Sequence, residues 1–448
     1  MGAALAALLM VGAPAAWGQT HDSGDTAWVA MASALVLFMT VPGLALFYAG
    51  MVRANNVLSV LLQCFAIACI VSVLWLALGY SLAFGETVSQ LVGGTSKAFY
   101  QGMTEASLIG TIPEPIFATF QLTFAIIAPA LIVGAFVERM RFSAVLLFAG
   151  TWSLLVYAPV AHWIWGGGWL VELGLLDYAG GTVVHVTAGT AALVGAVVLG
   201  PRQGFPQQTP PPHNMVLTLI GTGMLWVGWF GFNGGSALAA NGDAAMSIVV
   251  TQVAAAVGAL VWMGLEWARR GKPTVFGATV GMVAGLASIT PASGFVSPAG
   301  ALVMGTVGSL LCFLLMGFIK NTLKIDDSLD VFPVHAVGGA FGTVFVAVFA
   351  SNALGVFSGQ HDIDIGGQLG VQALGVLVVA SYTAVMTWII LKVINAMVTN
   401  RVTEAEEAQG LDRLSHDEHG YMRLVVQDEP ITERNVAAAS QPTNSGAA

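Results

Sequence analysis

Charge is what this chain has least of. Asp, Glu, Lys and Arg make up 9% of its 448 residues, against about a quarter in soluble domains. With 56% hydrophobic residues and a mean hydropathy of +0.80, it cannot cover an ordinary globular surface with polar groups. That points to a polytopic membrane protein with little soluble mass. The formal net charge of −9 says nothing of a partner, because the charges are segregated into loops, and no nucleic acid is expected. Cysteine is scarce too: Cys64, Cys69 and Cys312 all fall in apolar runs, which excludes a disulfide or metal framework and makes them small core residues. No nucleophile–base–oxyanion set, phosphate-binding loop or metal cluster is visible, so neither an enzyme nor a cofactor is expected.

What the chain has instead is long apolar runs. At roughly 20 residues per crossing, about eleven spans fit, near 27–50, 57–84, 115–137, 142–161, 182–200, 214–238, 244–268, 274–291, 298–320, 331–351 and 369–398. The predicted fold class is an all-α polytopic membrane protein. The apolar run Ala3 to Val11 is too short to cross, and small residues follow it at Ala16-Trp-Gly18. A positively charged start is missing, yet a signal peptide over 1–18 fits better than another span. With the N-terminus outside, Arg53, Arg139, Arg141, Arg202, Arg269, Arg270, Lys272, Lys320, Lys324 and Arg401 fall at cytoplasmic ends, and only Lys97 falls outside. The positive-inside rule therefore gives an N-out, C-in orientation, which an odd number of spans requires. The outer loops carry acids such as Asp22, Glu86, Glu172 and Asp243, which either concentrate cations or merely solvate the loops.

The Pro-rich loop 201–213 divides the chain. Gly43-Leu-Ala-Leu-Phe47-Tyr48-Ala-Gly50 before it echoes Gly228-Trp-Phe-Gly-Phe232-Asn233-Gly-Gly235 after it. This organisation gives a five-helix repeat over 26–200, a second over 214–351, a last helix at 369–398 and a cytoplasmic tail over 399–448. Five spans each make the repeats inverted, with the substrate path at their interface near the midplane. Gly277, Gly281 and Gly285 form a small-xxx-small packing ladder. The tail around Gly410 to Gly420 is either a docking surface or simply solvated, and its last residues, from about Val436, read as disordered.

Two histidines stand inside the apolar runs: His185 in Asp177-Tyr-Ala-Gly-Gly-Thr-Val-Val-His-Val-Thr-Ala-Gly189, and His335 in Val331-Phe-Pro-Val-His-Ala-Val-Gly-Gly339. Intramembrane ionisable residues are rare and usually face a pathway. Each follows a Val and has a Gly four residues on, which shares its helix face and leaves room beside it. The repeat organisation brings the two together across a pseudo-twofold axis, although each could instead bond a helix carbonyl. Near the outer end lie Phe124, the run His162-Trp-Ile-Trp165-Gly-Gly-Gly168, and Ser236. Trp165 could be an interfacial belt residue. Converged, Trp165, Phe124 and the Ser236 hydroxyl make a site for a hydrogen-bond-donating cation through cation–π attraction and one acceptor, poorly suited to K⁺. Asp177 either braces the mouth through backbone N–H groups, the less costly role, or touches the cation. The spans hold no carboxylate deep inside, since Glu114 and Glu266 lie near ends. A bare ion gets no compensation there. Burial also disfavours a charged imidazole, so the residues favour deprotonation before passage and a neutral imidazole pair that can relay a proton.

These stretches, with Val36 to Tyr48, Phe136-Val-Glu-Arg139 and Arg141-Phe-Ser143, resemble the ammonium transporter (Amt/Rh) family, its bacterial Amt branch in particular, over Thr26 to Tyr421. The resemblance implies a homotrimer in the bacterial inner membrane, with one pore per subunit. Trp165, Ser236 and Phe124 would recruit ammonium and Asp177 would support the site. Phe124 and Phe232 would form a stacked gate above the twin histidines His185 and His335. A PII-type signalling protein would dock on the cytoplasmic face. The function it implies is recruitment of NH₄⁺, deprotonation, and conduction of NH₃ past the histidines. The alternatives are an ammonium sensor acting through a PII-type partner and a neutral-gas (NH₃/CO₂) channel of Rh type.

Overall fold

A computed structural model of the protein describes residues 21–208 and 210–421. The expected signal peptide over 1–18 and the end of the tail lie outside the described residues. Eleven helical segments are long and apolar enough to cross a bilayer: Ser23–Met51, Ala54–Phe84, Glu114–Phe136, Phe142–Glu172, Gly181–Leu199, Met215–Gly235, Gly242–Arg270, Val275–Ala292, Pro298–Thr322, Phe332–Phe349 and Ile365–Met397. They match the eleven expected spans to within four residues, except that the fourth runs on past 161 to Glu172. Six begin on a side-chain cap, at Asp22, Asn214, Asn241, Thr274, Ser297 and Asp364, where an oxygen accepts an amide that the helix start leaves unpaired.

The spans alternate in direction. Asp22 bonds Thr111 and Gln368 bonds Gly174 at one end, while Arg53 bonds Glu138 and Arg141 bonds Asn400 at the other. The first span therefore runs opposite to the sixth, and the two five-span halves are inverted with the eleventh added. The basic residues collect at the end that holds Arg53, Arg139, Arg202 and Arg401, which the positive-inside rule makes cytoplasmic. Leu260, Leu377, Val73 and Val216 are exposed on the periphery, as expected of a lipid-facing surface. Cys64 and Cys312 are buried, but Cys69 is exposed on the periphery, so it is not a core residue.

The fifth and tenth spans pack against each other in the middle. Thr182 Oγ1 meets Thr343 Oγ1 at 3.1 Å. A Cβ on Gly339 would lie 2.6 Å from Gly181 O, and one on Gly189 would lie 2.6 Å from the Ala336 Cβ. Position numbers rise on one helix as they fall on the other, so the pair is antiparallel. Each histidine sits in the first turns of its own helix yet at the centre of the pair. The two glycines thus work crosswise: each admits the backbone of the other helix, rather than making room for its own histidine as the spacing suggested. Both helices open with a π-helical turn, Gly181–Val186 and Phe332–Val337.

The cytoplasmic end is tied by buried ions that read as loop charges in the sequence. Glu138 bonds Arg53 and Arg202, each at 3.0 Å, and Arg202 also holds Asp326 at 2.9 Å. Arg139 is fully buried and donates to Ala135 O, Asp326 O and Ser328 Oγ. The tail through His416 is not a free strand. Helices Glu404–Gln409 and Leu411–His416 lie on the loops, Asp412 caps the helix from Val57 through the amides of Leu58 and Ser59, and Glu407 is buried against Arg401. Leu411 and Asp412 therefore face inward, leaving less docking surface than the polar composition suggested.

Candidate functional site

A column of rings runs inward from the outer mouth. The indole of Trp165 stands edge-on to Phe124 with centroids 5.7 Å apart. Phe124, on the third span, stacks on Phe232 of the sixth at 4.3 Å and 30°. Phe232 stacks on His185 at 5.9 Å, and His185 on His335 at 5.2 Å. The two imidazoles meet Nδ1 to Nδ1 at 3.3 Å. All except Trp165 are buried.

The mouth is built from short-range bonds. Trp165 Nε1 donates to Asp177 O at 2.9 Å. The Asp177 carboxylate accepts the amides of Gly180 and Gly181 on one oxygen and those of Thr182 and Val183 on the other, at 2.6–3.0 Å. Gly180 makes this possible by adopting φ +108°, which turns the chain back over the carboxylate. Burial raises the Asp177 carboxyl above its ordinary pKa, and the four amides pull it part of the way back. The donor-saturated carboxylate braces the start of the fifth span and has no oxygen left uncommitted. His162 is buried, on Ala83 O at 2.9 Å and Thr87 Oγ1 at 3.2 Å, pinning the Trp165 loop to the end of the second span. Ser236 ends the sixth span one turn outward of Phe232, to whose carbonyl it donates at 2.9 Å.

Two neighbours were not anticipated. Trp229 stacks on His185 at 5.5 Å and is fixed by Nε1 to Thr290 Oγ1 at 2.9 Å. It lies three residues before Phe232, so the shared helix face was legible in the spacing. Asp327 caps the other histidine helix through Phe332 N at 2.7 Å. Among the described residues, no group of three or more His, Cys, Asp or Glu side chains could hold a metal ion.

The whole arrangement can be compared with known proteins. Residues 27–421 match the description Ammonium Transporter Family. The chain belongs to that family. It is 45% identical over 403 residues to an ammonium transporter of Aquifex aeolicus, covering 89% of this chain and 94% of that one. Ammonium transporter Amt1 of Archaeoglobus fulgidus is 43% identical, covering 89% and 100%. Among solved structures, a sensor Amt protein superposes with TM-score 0.81 at 31% identity, covering 88% of this chain and 98% of that one. Mep2 of Saccharomyces cerevisiae does so with TM-score 0.79 at 36% identity, covering 86% and 88%. Like its relatives in the Ammonium Transporter Family, the chain is a multi-span membrane protein and not an enzyme.

Proposed function

We propose that this protein is an ammonium transporter of a bacterial inner membrane, working as a homotrimer with one pore per subunit. NH₄⁺ pauses at the outer mouth against the face of Trp165, with Phe124 beneath it and the Ser236 hydroxyl as acceptor. Asp177 holds the mouth and the fifth span in register and adds negative potential without ligating the ion. The Phe124–Phe232 stack closes the path and opens by ring rotation. Beneath it the column continues through an indole and two imidazoles rather than a carboxylate, and stripping a bare cation of water costs several kcal/mol in such surroundings. Neutral NH₃ passes at far lower cost, leaving its proton behind.

The observation that carries this reading is the imidazole pair at 3.3 Å beneath an aromatic stack. With both rings neutral, one Nδ1–H donates to the other Nδ1. The donor ring then presents a bare Nε2 and the acceptor ring an Nε2–H. Ammonia can donate to the first and accept from the second, and exchange of the shared proton resets the pair. His185 Nε2 has no partner among the described residues and is free for such a contact. The rings thus form a polar rail in an oily tunnel and a route for the proton the cation gave up. The basic cytoplasmic loops and the docked tail offer the face on which a PII-type regulator would sit.

The test is the His185→Ala, His335→Ala double variant in proteoliposomes, with ammonium-evoked current measured against potassium. Selective ammonium current should vanish. Wild-type-like selective current would remove the histidines from the mechanism.

A further inference from the structure

Ten spans complete the two inverted halves, and the eleventh, Ile365–Met397, packs against both the fifth and the tenth. Its outer part carries a glutamine, Gln372, at 0% exposure. A primary amide buried in an apolar span is costly unless both its hydrogens and both its oxygen lone pairs find partners. Here all four do. Oε1 accepts Leu176 N at 2.8 Å and Gln368 Nε2 at 3.0 Å, and Nε2 donates to Leu176 O and to Thr343 O, each at 2.7 Å. One side chain therefore holds both backbone groups of a residue just ahead of the fifth span, together with a carbonyl of the tenth. The eleventh span presses close to do so: a Cβ on Gly375, one turn further along, would lie 2.5 Å from Leu175 Cδ1.

Both attachments lead to the pore by short routes. Leu176 is joined to Asp177, whose carbonyl takes Trp165 Nε1 and whose carboxylate takes the amides that start the His185 helix. Thr343 meets Thr182 through its hydroxyl at 3.1 Å and stands one turn from Gly339. A Cβ on Gly339 would lie 2.8 Å from the His185 Cβ, and His335 is four residues further back on the same span. The threonine contact is a weak tie by itself, since either hydroxyl can rotate away. The Gln372 amide is planar and bonds backbone atoms on both sides, so its loss frees the two segments to shift against each other.

We propose that Gln372 is a positioning residue of the pathway: it clamps the fifth span against the tenth, and so holds His185 and His335 within hydrogen-bond reach beneath a fixed mouth. This rests on the ammonia-conduction reading above. Gln372 acts through Leu176 and Thr343 rather than by touching the rings. An apolar side chain of similar size would leave Leu176 N, Leu176 O and Thr343 O without these partners, and buried backbone groups in that state are destabilising. A carboxylate would set a negative oxygen against two carbonyls.

The test uses the full-length protein in proteoliposomes, with Gln372→Met, Gln372→Glu and Thr387→Val beside the wild type. Thr387 lies on the same span, about 22 Å along the helix from Gln372. It is fully buried and accepts Trp152 Nε1 at 3.1 Å, so its loss reports loosening of the eleventh span alone. Three quantities are read: ammonium-evoked current against potassium, the unfolding temperature, and the NMR signal of the Nδ1–H shared by the two imidazoles in histidine-labelled protein. Gln372→Met should lower the selective current by about ten- to a hundredfold, the scale of a displacement of about 1 Å at a reacting pair, and should remove the shared-proton signal. Gln372→Glu keeps the length and the acceptor for Leu176 N but loses both Nε2 hydrogens, so it should fall in the same direction, and it decides alone if Gln372→Met does not assemble. Thr387→Val should lower the unfolding temperature and keep both current and signal. Wild-type current with an intact shared-proton signal in the Gln372 variants would overturn the inference. So would equal losses of current and signal in Thr387→Val at a similar unfolding temperature, which would reduce Gln372 to one more helix contact. A wild type with no ammonium-selective current would sink the conduction reading, and the imidazole signal would still decide the clamp.

Discussion

Gly189→Ala tests whether the closeness of two backbones sets the histidine pair. The added Cβ would stand 2.6 Å from the Ala336 Cβ, and ordinary contact begins near 3.4 Å. The Ala336 backbone N is nearer still, at 2.3 Å, so relief by moving the fifth and tenth spans apart needs a widening of about 1.1 Å at this crossing. The Nδ1–Nδ1 separation of 3.3 Å would then approach about 4.4 Å, beyond any hydrogen bond. Overpacking of this kind costs about 1–3 kcal/mol, so the variant should fold, with a lowered unfolding temperature. Its ammonium-evoked current should fall at least about tenfold, since about 1.4 kcal/mol lost from the conducting geometry has that effect. Gly264→Ala is the matched control. It lies within the seventh span with nothing within 4 Å of the added methyl, so it should conduct normally and gain a few tenths of a kcal/mol to about 1 kcal/mol of helix stability. Current and unfolding temperature are measured on the same preparations. Normal current in Gly189→Ala, with unchanged stability, would show that the pair does not depend on this approach.

Other substitutions separate binding from architecture. Glu138→Gln leaves Arg202 and Arg53 facing a neutral amide, and breaking a buried pair in this way should cost about 3–5 kcal/mol, read by thermal unfolding. Although burial alone would raise the Glu138 carboxyl, Arg202 and then Arg53 overcome it and hold the folded pKa below the ordinary 4.5. The ion network therefore stabilises the protein above about pH 4.5 and is lost as pH falls through the depressed folded value. The wild type should lose stability on acidification more steeply than Glu138→Gln. Trp165→Leu removes the cation-facing indole and the bond to Asp177 O. It should raise the ammonium concentration giving half-maximal current while costing only about 1 kcal/mol in stability. An unchanged concentration dependence would make Trp165 an interfacial belt residue.

The amino-acid order alone specified the broad outline, because bilayer physics leaves few choices. Lipid offers no hydrogen bonds, so apolar runs of sufficient length become helices, and Gly181–Leu199 or Val275–Ala292 could be read to within a few residues. Basic residues at alternate ends set orientation for a similarly local reason. His185 and His335 announced themselves by being ionisable where ionisable groups are rare. What composition and spacing could not decide was anything that depends on which chain segments meet. The glycines were visible, but not that Gly189 serves the His335 helix and Gly339 the His185 helix, since that follows from an antiparallel crossing. Arg139 and Arg202 counted as loop charges until folding enclosed them. That four amides converge on Asp177 was not visible either, and Asp327 looked like one acid among several until packing buried it at the start of the tenth span with Phe332 N on one oxygen. Hydropathy and periodicity are properties of neighbours along the chain; hydrogen-bond saturation and the distance between two imidazoles belong to residues some 150 positions apart, and only the packed helices bring those together.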